Sequence, residues 1–193
     1  MNRFTQAGLI TACQNGDERG FEELFQQYHE RVYRVGLRYT GNIQEAEDVT
    51  QDVFVKVFKE IIRFKGYSNF YTWLYRITVN ICRDKERWQS RRYLLDKSIN
   101  GGWRSGDGIE KETLEMQWQT ETQKMLQNAL HQLSPKLRTV IILKHIEELS
   151  LVEISQVLDC SQGTVSSRLN RGRARLRDIL GKMGLDRTYL QGA

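Results

Sequence analysis

Phe21, Leu24, Phe25, Tyr28, Val32, Val35 and Tyr39 follow one another at steps of three and four, the period of one face of an α-helix. Asp17 stands where an N-cap belongs and Gly41 where a helix stops. The pattern resumes over 43–63 through Ala46, Val49, Val53, Phe54, Val57, Phe58 and Ile61, with Asn42 placed to cap it. A third long helix is predicted to begin after Ser68 and Asn69 and to run through Trp73, Leu74, Ile77 and Ile81 towards Arg92. No stretch alternates apolar and polar residues as a half-buried strand does, so the expected fold is all-α.

The periodicity then breaks. "NGGWRSGDG", Asn100 to Gly108, carries four glycines, and ordering glycine costs more backbone entropy than ordering any other residue. A flexible linker is expected over 90–111, dividing the chain into two small helical domains at 1–89 and 112–193. The second begins as a polar helix around 112–133. "SPKLRTVIILKHIEELS" follows, with Ser134 at an N-cap position and Pro135 at the first helical position. Leu137, Ile141 and Leu143 to Ile146 are its expected buried face. Tryptophans fall every fifteen residues, at 73, 88, 103 and 118, but their neighbours do not repeat, so no solenoid is implied.

The C-terminal half then presents a compact motif. Ser150 and Glu153 form the S-x-x-E capping box, which starts a helix at Leu151. Ile154, Val157 and Leu158 are its apolar face, and two turns are too short to stand alone. "DCS" ends it, and Ser161 is placed to cap another helix with Val165 and Leu169 inward. Two short helices around a turn of about three residues form a helix-turn-helix. In that arrangement Gln162, Thr164, Ser167 and Arg168 occupy the first turns of the recognition helix, where side chains meet base edges and phosphates. Between Ser161 and Arg177 there are five arginines and no acid. Arg171 and Arg173 continue the series, and such charge supplies affinity for duplex DNA through counterion release.

Charge also divides the first half. From Asn42 to Glu60 there are five acids and two lysines, whereas from Arg76 to Arg92 there are six bases and two acids. An acidic helix followed by a basic one suits a module that joins a protein partner to a polyanion. Ahead of the basic helix lie Phe64, Tyr67, Phe70, Tyr71, Trp73 and Tyr75. Aromatics beside positive charge suit single-stranded nucleic acid, where each stacked base contributes about 1–3 kcal/mol. The loop Lys65–Asn69 could trap a flipped base. Trp73, Leu74 and Ile77 are expected in the core, and Tyr67 and Tyr71 at the surface.

Bulk properties narrow the function classes. The chain has 193 residues, 39% hydrophobic, with a formal net charge of +5, a balance that favours polyanionic partners. Cys13, Cys82 and Cys160 are odd in number and lack metal-ligand spacing, which argues against zinc and against a disulfide framework. No apolar run approaches a membrane span, and the first twenty residues do not form a secretory signal. A cytoplasmic protein without metal, cofactor, small-molecule substrate or membrane insertion is expected. No nucleophile, ligand set or phosphate loop indicates an enzyme. A stand-alone helix-turn-helix regulator would leave the acidic helix and the aromatic segment without a role.

Three motifs in order are similar to those of bacterial RNA polymerase sigma factors of the extracytoplasmic-function group. "EAEDVTQDVFVKVFK" resembles the group's core-polymerase-binding helix, "FKGYSNFYTWLYRITVNICRD" its promoter-opening region, and the stretch from Leu133 to Arg177 its upstream-element reader. The resemblance covers about residues 6–185. It implies that Asp48, Gln51, Asp52 and Lys56 grip core RNA polymerase. It implies that Lys65, Tyr67, Ser68, Asn69 and Phe70, with Tyr71, Arg76, Asn80 and Arg83 on the following helix, meet the melted −10 element. Gln162, Thr164, Ser166, Ser167, Arg168, Arg171 and Arg173 would face the −35 duplex. It further implies control by an anti-sigma factor. Ser166 departs from the basic residue frequent at that place in the group, which leaves the −35 preference open.

Overall fold

The computed structural model describes residues 5–99 and 121–184, with side chains of 93–99 left aside. The described residues form eight α-helices and one 3-10 turn: α1 (Gln6–Gln14), α2 (Glu18–Thr40), α3 (Ile43–Glu60), the 3-10 turn Ile61–Arg63, α4 (Phe70–Ile99), α5 (Glu121–His131), α6 (Pro135–His145), α7 (Leu151–Leu158) and α8 (Gln162–Lys182). The all-α expectation holds.

The helices begin and end where local chemistry directs. The Asp17 carboxylate accepts from Arg19 N at 2.9 Å, and Asn42 Oδ1 accepts from Glu45 N at 3.0 Å. Each satisfies a donor that has no partner inside its helix. Gly41 closes α2 in the left-handed region, at φ 70°, which glycine adopts without a Cβ penalty. Ser150 and Glu153 complete the capping box reciprocally. Ser134 occupies the N-cap of α6 without a side-chain bond; its carbonyl takes the amides of Leu137 and Arg138, both at 2.9 Å.

In the N-terminal half, α2 buries Leu24, Tyr28, Val32 and Val35, α3 buries Val49, Val53 and Val57, and α4 buries Leu74, Tyr75 and Val79. In the C-terminal half, α6 contributes Val140 to Leu143, with Ile154 and Val157 from α7 and Val165 and Leu169 from α8. The two halves also meet. α2 contacts α5 and α6, and α4 contacts α7.

Two expectations change, one helix was not anticipated, and one expected helix lies partly outside the described residues. α1 carries only Leu9 and Cys13 as buried positions, too few for a visible period. α4 continues past Arg92 to Ile99, so residues 90–99 of the expected linker are helical; residues 100–120, with the glycine-rich segment, lie outside the described ones. The polar helix expected over 112–133 is described only as Glu121–His131. In α6 the buried run is Arg138 to Leu143, and Lys144 and His145 face outward, because the contacts with α2 bury the turn carrying Arg138 and Thr139 while the C-terminal turn stays open.

Candidate nucleic-acid interface

The turn between α7 and α8 is the three residues Asp159, Cys160 and Ser161, as read from the sequence. Asp159 takes the left-handed conformation at φ 50° and ends α7, and Ser161 Oγ accepts from Thr164 N at 3.1 Å to start α8. Val165, Leu169 and Gly172 form the buried seam of α8. A Cβ on Gly172 would stand 3.0 Å from Ile141 Cγ1, so the glycine sets how closely α8 lies on α6.

That seam decides where the polar residues point. At 3.6 residues per turn, Thr164, Ser167, Arg168, Arg171 and Arg175 fall on one flank of α8, and Gln162, Ser166, Arg173 and Arg177 on the other. Ser167 Oγ donates to Thr164 O at 3.0 Å, and Arg171 Nε to Ser167 O at 3.3 Å, so the first flank is held against its own backbone. Arg168 Nη1 reaches Cys160 Sγ at 3.8 Å across the turn. Arg173 Nε instead donates to His145 Nε2 at 3.1 Å. His145 has its pKa lowered, first by burial and then by Arg173 and Lys144, which keeps that nitrogen free to accept. Gln162, Ser167, Arg171 and Arg173 are exposed; Thr164, Ser166 and Arg168 are half-buried.

At the other end of the molecule, residues 64–69 connect the 3-10 turn to α4. Gln14 of α1 donates from Nε2 to Ile61 O at 3.1 Å and to Phe64 O at 2.8 Å. The helix that the periodicity did not reveal therefore braces the base of this loop. Asn69 Oδ1 accepts from Tyr71 N at 3.2 Å and starts α4. Tyr67 stands at the tip, 91% exposed, with Lys65 exposed and Ser68 half-buried beside it.

The aromatic segment is mostly core. Phe70 is 3% exposed and packs on Phe64, Trp73 and Tyr28; its ring has no free face for a base, which corrects the expectation for that residue. Tyr71 is half-buried, edge-on to Tyr28 and covered by Arg31 at 5.2 Å, so it too is less available than expected. Both rings are drawn in because the start of α4 must cover Tyr28. Trp73 is half-buried, while Leu74 and Ile77 are buried as expected. Asn80 and Arg76 are exposed on α4, and Arg83 is half-buried.

Asp48, Gln51, Asp52 and Lys56 all lie exposed on α3. Lys85 of α4 pairs with Asp52 at 3.1 Å and with Asp48 at 4.0 Å; both aspartate side chains remain more than half exposed, so the pairs contribute little stability. The sequence reading missed the apolar companion of this acidic face. Phe25, Val55, Phe58 and Ile62 are exposed large hydrophobics, and an open groove of about 420 Å³ between α2 and α3 is lined by Phe25, Gln51, Phe54 and Phe58. A rim of polar residues around exposed aromatics marks a protein-binding surface. The signal lay in the run Val53–Phe58, where apolar residues exceed what one buried stripe needs.

The two halves enclose a second cleft, of about 640 Å³, lined by Arg83, Arg87 and Arg91 of α4 facing Lys136 and Arg168. Residues expected at two different DNA elements thus share one opening.

Residues 24–92 match the Sigma-70 region 2 family and residues 123–176 the Sigma-70 region 4 family. The chain is 35% identical over 178 residues to the ECF RNA polymerase sigma factor SigW of Bacillus subtilis, covering 89% of this chain and 94% of that one. It is 33% identical over 180 residues to the ECF RNA polymerase sigma-E factor of Haemophilus influenzae, covering 89% and 93%. Among solved structures, CnrH in complex with the cytosolic domain of CnrY aligns with a TM-score of 0.66 at 24% identity, over 90% of this chain and 96% of that one. The sigma factor RpoE in complex with the anti-sigma factor NepR from Bartonella quintana gives the same score and identity over 83% and 96%.

Proposed function

The chain belongs to the extracytoplasmic-function sigma factors, with regions 2 and 4, and from that premise we propose how its surfaces divide the work of transcription initiation. The N-terminal unit, residues 1–89, binds core RNA polymerase and opens the −10 element. Residues 90–111, of which 90–99 complete α4, connect it to the unit 112–193, which reads the −35 duplex. Catalysis belongs to the polymerase, and this chain acts by binding, in the cytoplasm.

The observation that carries this reading is the pairing of two different surfaces on one chain. One is a polar-rimmed apolar face on α3; the other is a helix-turn-helix whose second helix has five arginines. Asp48, Gln51, Asp52 and Lys56 supply the charged edge of the polymerase contact, and Val55 and Phe58 its apolar centre. A flat charged surface alone would be screened at physiological salt; burying Phe58, which is 62% exposed, gives the contact a term that salt does not screen.

On DNA, α8 enters the major groove by its N-terminal turns. Gln162, Thr164, Ser166, Ser167, Arg168 and Arg171 lie near base edges, and Arg173, with the later arginines, along the phosphates. At the −10 element Tyr67 offers a stacking face, with Lys65, Ser68 and Asn69 around the same loop and Arg76, Asn80 and Arg83 along the exposed side of α4. An anti-sigma factor is the expected regulator: one of the similar solved structures is a sigma factor in complex with an anti-sigma factor, and the groove between α2 and α3 is a surface such a protein could cover.

The test is transcription with purified core RNA polymerase on sheared genomic DNA, with transcript starts sequenced. The expected result is a set of starts that appear only when this protein is added and share upstream −35 and −10 sequences. Starts identical with and without the protein would refute the reading.

A further inference from the structure

Gln14 is the last residue of α1, and its side chain leaves that helix to hold a different element. Its amide nitrogen donates to Ile61 O at 3.1 Å and to Phe64 O at 2.8 Å. A primary amide carries two N–H donors on one nitrogen, and here each finds a carbonyl at one end of the 3-10 turn. The turn closes on itself through a third bond, from Phe64 N to Ile61 O at 3.0 Å. Phe64 packs in turn on Phe70 and Trp73, with ring centroids 5.7 and 5.2 Å away. The chain is thus fixed up to Phe64, and fixed again from Asn69, whose side chain caps α4.

Between these points the loop has no restraint of its own. Residues 65–68 make no hydrogen bond among the described residues. Gly66 takes φ 72°, and a Cβ there would meet nothing within 4 Å. Tyr67 is 91% exposed. Over so short a free span, the place of the Tyr67 ring is set by the two roots of the loop. The exit root is local, made by Asn69 at the start of α4. The entry root depends on a residue 47 and 50 positions earlier in the chain than the carbonyls it holds.

α1 is a firm base for that root. Leu9 and Cys13 are buried, and Asp17 N donates to Ala12 O at 3.0 Å. A Cβ on Gly20 would stand 2.9 Å from Ala12 Cβ, so α1 lies directly on α2. The helix also lies ahead of residues 24–92, which match region 2, and none of its residues is among those assigned above to polymerase or DNA.

We propose that Gln14 is a positioning residue for strand opening: by bracing the entry root of the loop from α1, it holds Tyr67 where an unpaired base of the −10 element stacks. The proposal rests on the −10 role given above to this loop. A ring captures a base efficiently only when it already stands where the base leaves the duplex. A loop released at its root spreads over more placements and must be ordered again on binding. Gln14 itself touches no DNA and acts through the loop.

The test compares Gln14→Met, Tyr67→Ala and the double variant, each as the full chain with core polymerase, on a promoter found by the mapping of transcript starts. Methionine keeps the length of the side chain and removes both donors. Gln14→Met should open a paired template about 3- to 10-fold more slowly, the scale of one net intramolecular hydrogen bond. It should lose less on a template mismatched over the −10 element. Binding to core polymerase and to −35 duplex should match wild type, which a folding defect would not allow. The double variant should be no slower than Tyr67→Ala, because both changes act through one ring. On the protein alone, trypsin cleavage after Lys65, followed by mass spectrometry, should quicken in Gln14→Met. Unchanged cleavage would show that Gln14 does not hold the loop, and defects that multiply in the double variant would show that it acts elsewhere. Either result overturns the proposal while the −10 role of the loop stands. Opening by Tyr67→Ala at the wild-type rate on both templates would instead remove that role, and the proposal with it.

Discussion

Arg138 Nη1 lies 3.2 Å from Glu86 Oε1, and the remaining nitrogens of the same guanidinium close the end of α5. Nε donates to Leu130 O at 2.9 Å, and Nη2 to His131 O at 3.0 Å and Leu133 O at 3.2 Å. One buried arginine therefore caps a helix of its own half and reaches α4 of the other. Its planar fork of donors is what allows both. Arg138→Ala should lower stability by about 2–4 kcal/mol, since it strands buried carbonyls as well as Glu86. Arg138→Lys should recover only part, because an ammonium cannot reach the three carbonyls together. Thermal unfolding followed by circular dichroism measures this; equal midpoints for wild type and Arg138→Ala would remove the capping role.

Two glycines of α8 make opposite predictions. Gly172 meets Ile141 at 3.0 Å from an ideal Cβ, whereas Gly181 meets nothing within 4 Å. Gly181→Ala should stabilise by about 0.5–1 kcal/mol through helix propensity. Gly172→Val should destabilise by about 1–3 kcal/mol through overpacking and weaken −35 binding by shifting α8 off α6. If both glycines tolerate their replacements equally in thermal unfolding, the close approach of α8 to α6 is not required.

The ring of His131 reports on the contact between the halves. Its Nε2 is 3.0 Å from Gln127 Nε2 and sits over Gly41 of α2. Burial, and then the charge of Arg138, lowers its pKa from 6.5 to about 4. The folded protein therefore binds this proton less well than the unfolded chain does. Its contribution to stability is complete above pH 6.5 and is lost as pH falls from 6.5 towards 4. Arg38 on α2 and Glu86 and Lys85 on α4 surround the same site. Glu147 acts in the opposite sense, because burial raises its pKa above 4.5 and protonation would ease its desolvation. A site-resolved measurement separates the two. In proton NMR the His131 ring should titrate near pH 4 in the wild type and move towards 6.5 in Arg34→Glu, which sets a carboxylate against buried Glu147 and loosens the contact between the halves. A midpoint unmoved by that variant would show that α2 does not bury the ring.

Most of the architecture was legible because single residues announce it. Asp17, Asn42, Ser150 and Ser161 are all caps, and Val165 and Leu169 fix the seam of α8 and hence the outward positions of its polar residues. Two features were not legible. Burial of Phe70 and Tyr71 depends on Tyr28, forty residues away, so local sequence could not separate aromatics that stack in the core from Tyr67, which does not. The contact between the halves is made by scattered single polar residues, Tyr39, Tyr75, Gln127 and Glu147. Each reads as an ordinary helix or loop residue until the fold brings its partner near. Glu147 is the sharpest case, since a glutamate in "HIEELS" gives no sign that it is buried.

The two flanks of α8 should separate by salt dependence. Arg171, on the flank with Thr164 and Ser167, is exposed and held only by Ser167 O. Arg171→Ala should weaken binding to the preferred −35 duplex by about 1–3 kcal/mol and relax preference at one position, as loss of a bidentate base contact does. Arg173, held near His145 at 3.1 Å, lies on the other flank. Arg173→Ala should weaken all duplexes alike and reduce the salt slope by about one. Fluorescence anisotropy at several salt concentrations distinguishes these results, and exchange of the two behaviours would mean that α8 is rotated in the groove.

Tyr67 offers the most direct test of strand opening. With 91% of its surface exposed and no ring contact holding it, the side chain has little structural role, so Tyr67→Ala should leave thermal stability within about 0.5 kcal/mol of wild type. A base stacked on it in the opened strand contributes about 1–3 kcal/mol. Loss of that stack should slow formation of the open complex on duplex promoters by about 5- to 150-fold. A template already mismatched over the −10 element needs no unpairing, and the variant should lose less activity there. Tyr67→Phe keeps the ring and should behave as wild type on both templates. An equal defect of Tyr67→Ala on paired and pre-opened templates would assign the tyrosine to general binding and leave strand capture to other residues of the loop.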